Sequence, residues 1–417
     1  MRILWITNIE LPKIASKYGR NVFLGGWLVQ TSVLLSAYDN IDLHILSPSE
    51  DSYSNVIIDS IHYYSFVREK INRQLERMIC ENDFDIVHIW GTEYVHSYDA
   101  IKLIEKYGLL NRVVISIQGL ISKCAEVYHD GVPDNIVKKC TIYERMKHCG
   151  IYEEAQDFKR KGEYEIASLK TVRHCIGRTD WDYKAVKEIN PDINYHKCNE
   201  ILRKAFYENE WDFSKCRKNT ISYGQIHYSL KGFHYMVEAL HLIKEKIPDV
   251  RLVVTADSLY KRRSLKEVVK ESSYHKYIKT LIEKYELRDN IEWAGYLTEE
   301  QMVEHYLSSN VYACASNIEN SPNSMGEAML LGVPVVVSDV GGVRSLLEDK
   351  KEGLLFDKSD VSGFANYVLD FLGNSEYAKQ IGQSGRRRAL KVYDRQHNLK
   401  KLCDVYFKIK NQEILSI

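Results

Sequence analysis

The sequence predicts an α/β protein built from two doubly wound, parallel-sheet domains. Three observations carry this expectation. Short apolar runs rich in valine and isoleucine alternate with segments of helical period along the whole chain. Within the runs successive residues are apolar, not every second one, which suits strands covered by helices on both faces. The 417 residues also exceed what one hydrophobic core usually holds.

Residues 2–7 read as the first buried strand, 27–37 as a helix and 41–46 as a second strand. The runs at 85–89 and 112–117 are further strands, each preceded by a helix-period segment, and 173–176 is another. The second half repeats the grammar, with strands at 221–223, 251–255, 291–293, 311–315, 335–337 and 353–356. Helices fit 233–246, 275–285, 299–307 and 345–348, and the polar, basic stretch 260–273 reads as an insertion. Helical runs at 361–372, 377–393 and 395–408 close the chain. The domain boundary falls near 203–215, giving domains at 1–207 and 208–392.

Lys plus Arg and Asp plus Glu both number 57, so no net charge draws the chain toward nucleic acid. Nine scattered cysteines without a Cys-x-x-Cys pair suit reduced thiols in the cytoplasm better than disulfides or a zinc site. The histidines form no His-x-x-x-His pair, so no metal is expected. The opening apolar run is too short for a signal peptide, and no run approaches the roughly 20 residues that span a bilayer. Basic segments at 68–77 and 138–147 suit either anionic headgroups or a plain solvated face.

The most informative stretch runs from Asn317 to Met329, where Glu319 and Glu327 flank seven residues. One carboxylate lies on a loop after a strand, the other in the first turn of the next helix. In an open parallel sheet that edge binds ligands. Carboxylates accept from sugar hydroxyls, and helix-start amides hold anions. Ser324 and Glu327 also spell a capping box, which would need no ligand.

Lys231-Gly232 follows the first strand of the second domain, so its ammonium is placed to neutralise a diphosphate at the interdomain cleft, or to lie solvated beside a turn. Gly25-Gly26, between the first strand and helix, permits close backbone approach or a simple turn. Glu93 and Gln118 follow first-domain strands at their carboxyl ends. Arg178 offers a phosphate or acceptor contact, whereas Asp180 and Asp182 sit where a helix begins and suit capping. Asp339 and Gly341-Gly342 either approach a donor or turn the chain.

Taken together, Gly25-Gly26, Lys231-Gly232 and the Glu319/Glu327 pair, with the run from Glu319 to Met329, resemble the family-4 retaining glycosyltransferases of the GT-B fold. The run looks like that of the bacterial surface-polysaccharide members. The resemblance implies two Rossmann-like domains facing across a cleft, with helix 393–417 crossing back onto the first. It implies that Glu327 binds ribose, that Glu319 binds donor-sugar hydroxyls, and that Lys231 holds the diphosphate. Backbone at Asn323, Ser324 and Met325 would contact sugar and phosphate oxygens, and Gly25 and Gly26 would lie against the donor.

Two positions depart from the family. Gln225 stands where members often carry an arginine on the diphosphate, so one positive charge is missing, with Arg178 or His227 as candidate substitutes. Gln118 replaces a frequent histidine and cannot carry a proton. The implied activity is metal-independent transfer of a hexose or similar sugar from a UDP- or GDP-sugar, with no other cofactor. The acceptor is an oligosaccharide or lipid-linked chain at the cytoplasmic membrane face. The alternatives are a degenerate scaffold subunit and a nucleotide-sugar epimerase.

Overall fold

The computed structural model describes residues 1–20, 22, 25–38, 40–67, 71–224, 226–260 and 270–414. The chain forms two compact units. The first comprises Met1–Lys123, Arg160–Arg203 and Tyr393–Ile417; the second comprises Cys124–Lys159 and Lys204–Val392.

The first unit holds an eight-stranded sheet. Its strands are β1 (Arg2–Ile6), β2 (Asp42–Pro48), β3 (Val56–Ile58), β4 (Ile61–Phe66), β5 (Ile86–Trp90), β6 (Val113–Ser116), β7 (His174–Gly177) and β8 (Asn194–Lys197). They lie in the order β3-β4-β2-β1-β5-β6-β7-β8. Among the described residues only the β3–β4 pairing of this sheet is antiparallel. Alternation along β1 sends Leu4 and Ile6 into one apolar layer and Ile3 and Trp5 into the other, so the sheet is covered on both faces.

The second layer includes Leu399, Leu402, Tyr406 and Ile409 from the closing helix Arg395–Ile414. Trp5 donates its indole N–H to the Tyr406 hydroxyl at 3.0 Å, and that hydroxyl also meets His88 Nδ1 at 2.6 Å. The last helix therefore packs on the first sheet, as the resemblance implied.

Strands β3, β4 and β8 were not foreseen. The β4 run Ile-His-Tyr-Tyr-Ser-Phe is aromatic and polar, although four of its last residues are buried, and β8 is a polar edge strand with no buried residue. Neither matches the Val/Ile signature used to find the rest.

The second unit holds β9 (Thr220–Tyr223), β10 (Arg251–Val254), β11 (Ile291–Trp293), β12 (Val311–Cys314), β13 (Val335–Ser338) and β14 (Leu354–Phe356). They are parallel, in the order β11-β10-β9-β12-β13-β14. The chain runs outward from β9 to β11, then returns to the other side of β9 as β12. That reversal puts a topological switch between β9 and β12, where ligands bind in open α/β sheets. The helix expected at 345–348 is not present; a single 3-10 turn, Val343–Ser345, stands beside it. So short a segment cannot offset the cost of nucleating an α-helix.

Residues 124–159, read from the sequence as part of the first domain, pack in the second unit. The Ser229 hydroxyl donates to the Tyr128 carbonyl, Lys358 pairs with Asp130 at 2.6 Å, and Ser273 donates its backbone N–H to Glu144 at 2.7 Å.

Candidate active site

The loops after β9, β12 and β13 converge because those strands are neighbours. After β9 a short turn, Ser229–Lys231, leads through Gly232 into the helix Phe233–Lys246. Gly232 adopts φ +65°, and a Cβ there would lie 1.7 Å from the Ala315 carbonyl oxygen. Only glycine allows the β9 and β12 loops to touch at this point. Asn317 N–H then donates to the Leu230 carbonyl at 2.7 Å, fixing the register of the two loops.

Lys231 and Glu319 meet as a result. The ammonium lies 2.6 Å from Glu319 Oε1, and the Ser316 hydroxyl donates to the same oxygen at 2.7 Å. The side chains are 27% and 14% exposed, so each still reaches solvent. Burial alone would lower the Lys231 ammonium; the Glu319 charge and their hydrogen bond outweigh it and hold Lys231 above the ordinary lysine value. The amine stays cationic throughout the physiological range.

The β13 loop braces Glu319 from behind. Gly342 N–H donates to the Glu319 carbonyl at 2.9 Å. Gly341 has φ +55°, and a Cβ there would come within 2.0 Å of that same oxygen. Asp339 pairs with Arg344, Nε to Oδ1, at 2.8 Å. The Gly-Gly pair thus supports Glu319 through backbone contact.

The helix Asn323–Leu331 begins at Pro322 with no side-chain cap. The capping box open to Ser324 and Glu327 does not form; the Ser324 hydroxyl instead meets the Tyr312 hydroxyl at 2.8 Å. An uncapped start leaves its first amides without intrahelical acceptors, a ready anion site. Glu327 and Met325 are both buried in this helix. Asn317 Oδ1, Ser321 Oγ and Asn323 Oδ1 are buried without a hydrogen-bond partner among the described residues. Desolvated polar atoms gathered on one loop suit a ligand rich in hydroxyls.

Gln225 lies outside the described residues. His227 stacks with Tyr296, ring centroids 6.2 Å apart, and burial lowers its pKa, which favours the neutral ring. Arg178 is buried in the first unit and ion-paired with Glu200, so its charge is matched there. Asp182 completes a capping box with Thr179, the role its position suggested.

The other first-unit candidates stand beyond the carboxyl ends of β1, β5 and β6, with the switch of that sheet between β1 and β5. Gly25 has φ +81° and opens the helix Gly26–Ser36; a Cβ would lie 2.1 Å from Ile9 Cδ1. Gly26 lies against the Arg203 side chain. Glu93 accepts from Asn8 Nδ2 at 3.2 Å, and Oε2 is buried without a partner among the described residues. Burial, reinforced by the Glu165 charge, pushes its carboxyl up to about 7. Gln118 Nε2 is likewise a buried donor without a partner among the described residues.

Sequence reasoning placed Asn317 in the acidic stretch without giving it a role, and missed Ser316 and Glu165. Ser316 adjoins that stretch and was within reach. Glu165 is wholly buried and accepts from the Thr92 hydroxyl (2.7 Å), Ile121 N–H (3.0 Å), Ser122 N–H (3.1 Å) and the Ser122 hydroxyl (2.6 Å). It staples the loops that carry Glu93 and Gln118. One acid among several on a long helix gives no signal of this.

Residues 204–388 match the family described as glycosyl transferases group 1. The chain is 22% identical over 414 residues, 97% of its length and 92% of the relative's, to the putative glycosyltransferase YtcC of Bacillus subtilis. The putative colanic acid biosynthesis glycosyltransferase WcaL of Escherichia coli is 26% identical over 147 residues, which cover 34% of this chain and 33% of that one. Among solved structures, Anabaena HepE in complex with UDP and glucose shares the fold, with a TM-score of 0.66 and 12% identity over 98% of this chain and 100% of that one.

Proposed function

We propose that the chain, which has the GT-B fold and matches glycosyl transferases group 1 at residues 204–388, is a glycosyltransferase that transfers a sugar with retention from a nucleoside-diphosphate donor to an oligosaccharide or lipid-linked acceptor. The pathway is assembly of a bacterial surface polysaccharide, in keeping with the colanic acid relative. The UDP and glucose held by HepE favour a uridine donor carrying a hexose over a guanosine one.

One observation carries the reading: Lys231 Nζ lies 2.6 Å from Glu319 Oε1 at the switch between β9 and β12. A diphosphate brings more negative charge to the ammonium than one carboxylate does. It displaces Glu319 on Lys231 and frees that carboxylate to accept from donor-sugar hydroxyls. The start of the helix Asn323–Leu331 adds its amides and dipole to the same anion. Buried Glu327, in the same helix, takes the ribose hydroxyls. Gly25 and Gly26 lie against the donor, and Gln118 and Glu93 serve the acceptor side.

In the transfer step the bond between the anomeric carbon and the β-phosphate oxygen breaks, and the acceptor oxygen bonds that carbon on the same face. The acceptor hydroxyl proton passes to the departing phosphate. Lys231 and the helix start stabilise the charge that develops on the leaving group, the task a divalent ion performs elsewhere. The reading therefore includes metal independence and no other cofactor.

Among the described residues no helix is long and apolar enough to cross a membrane. The reading places the protein in the cytoplasm, working at the membrane face that presents a lipid-linked acceptor.

The test is incubation of purified protein with a panel of UDP- and GDP-sugars and oligosaccharide acceptors, with product detection. Transfer with retained anomeric configuration, undiminished by EDTA, is expected. Donor conversion without acceptor would point to an epimerase. Absence of nucleotide binding by calorimetry would leave a scaffold role, and loss of turnover in EDTA would overturn metal independence.

A further inference from the structure

From the sequence, the basic segment 138–147 suits either anionic headgroups or a plain solvated face, because Glu144 sits among its cations. The fold shows where that acid goes. The helix Ile142–Lys147 starts on Thr141, whose hydroxyl accepts from Glu144 N–H at 3.2 Å while Glu144 Oε2 accepts from Thr141 N–H at 2.7 Å. Glu144 Oε1 accepts in turn from Ser273 N–H at 2.7 Å and the Ser273 hydroxyl at 3.1 Å. The acid is thus turned inward, buried, and fastens this helix to the start of the helix Ser273–Lys284.

A helix turns roughly 100° per residue, so positions two before and two after Glu144 lie on the opposite side. Those positions are Ile142 and Met146, which are 81% and 74% exposed. Lys138, Lys139, Arg145 and Lys147 of the same segment are exposed as well. Among the described residues no acid pairs with any of the four within 4.0 Å. Folding has removed the one negative charge of the helix from its surface. What remains outside is an i,i+4 apolar pair on a segment that carries four exposed cations.

From this charge and apolar pattern we infer that the surface of residues 138–147 docks on an anionic lipid bilayer. Ile142 and Met146 enter the acyl boundary, and Lys138, Lys139, Arg145 and Lys147 lie at the headgroup phosphates. The segment belongs to the second unit, where Asp130 and Tyr128 of the same stretch bond to Asn317 and Ser229. Docking there would hold the donor site at the height of a membrane-borne acceptor. The inference rests on the lipid-linked acceptor reading above. Residues 68–70 of the other basic segment lie outside the described residues.

The experiment is cosedimentation of the full chain with phosphatidylcholine vesicles, with and without phosphatidylglycerol, beside sedimentation velocity and an assay on a water-soluble acceptor. Wild type is expected to bind only the anionic vesicles, and less at high salt. Ile142→Glu with Met146→Glu, and separately Lys138→Glu with Lys139→Glu, should each weaken binding by about tenfold or more. Their unfolding midpoints and their turnover on the soluble acceptor should stay at wild-type values. Failure of wild type to bind anionic vesicles, or equal binding by the variants, overturns the inference. So does a wild-type dimer that the Glu substitutions dissociate in the absence of vesicle binding, since the patch would then cover a second copy. Transfer to the soluble acceptor without vesicle binding sinks the docking surface alone; vesicle binding without transfer from any donor sinks the glycosyl-transfer reading alone.

Discussion

Gly232 and Ala315 are in contact through a space that holds no side chain: a Cβ on Gly232 would sit 1.7 Å from the Ala315 carbonyl oxygen. The contact sets the distance between the loop that carries Lys231 and the loop that carries Glu319. Gly232→Ala must separate those loops and adopt φ +65° with a Cβ. The conformation alone costs at least about 1 kcal/mol. Urea unfolding should show that loss or more, and donor turnover should collapse because Lys231 and Glu319 no longer sit at the spacing that lets both engage one donor. A variant with wild-type turnover would detach the contact from function.

Lys231→Ala removes the cation proposed for the leaving diphosphate. Turnover should fall by about 10²–10³ with the chain still folded, the magnitude seen when one preorganised transition-state donor is lost. Glu319→Gln keeps an acceptor for Ser316 but leaves the ammonium without its counter-charge. Unfolding energies of the two single variants and the double variant should be non-additive by about 0.5–3 kcal/mol, since the side chains touch. Additive effects would mean that the pair does not act as one unit.

The outline of both sheets was legible because a strand covered on two faces must be apolar at successive positions, and β1, β6, β12 and β13 follow that rule along most of their length. Strand β4 escaped because its own His62, Tyr63, Tyr64, Ser65 and Phe66 put polar and aromatic side chains where that rule expects valine or isoleucine. The acidic motif and Lys231-Gly232 were legible because their residue types match one chemistry at one sheet edge. Their contact was not: the distance depends on Ala315 and Gly341, whose sequence says nothing of what lies opposite. Arg178 misled for a similar reason, since its partner Glu200 is distant in sequence and only the fold joins them. The departure of residues 124–159 to the second unit left no compositional mark, because Asp130 and Glu144 act there through partners far along the chain.

Glu165 has four hydrogen-bond donors on its two oxygens, from Thr92, Ile121 and Ser122. Glu165→Gln replaces one acceptor oxygen with an amide N–H that faces donors. Two buried donors lose their partner, a loss of about 2–5 kcal/mol in unfolding free energy. Amide exchange at Ile121 and Ser122 should accelerate, and KM for the acceptor should rise more than kcat falls, because the displaced loop carries Gln118. Unchanged exchange at those two amides would remove Glu165 from this positioning role.

Glu93 makes stability depend on pH with a defined sign. Its carboxyl is pushed from the ordinary 4.5 to about 7, first by burial and further by the charge of Glu165. Between those values the native state binds more protons than the unfolded chain, so unfolding free energy falls as pH rises through the window. The contribution is fully present below pH 4.5 and gone above about 7. Glu93→Gln, neutral at every pH, should lack this slope: close to wild type at pH 4.5, more stable than wild type at pH 8. Denaturant titrations at a series of pH values check it, and parallel curves for the two proteins would show that Glu93 ionises in the folded chain as it does in water.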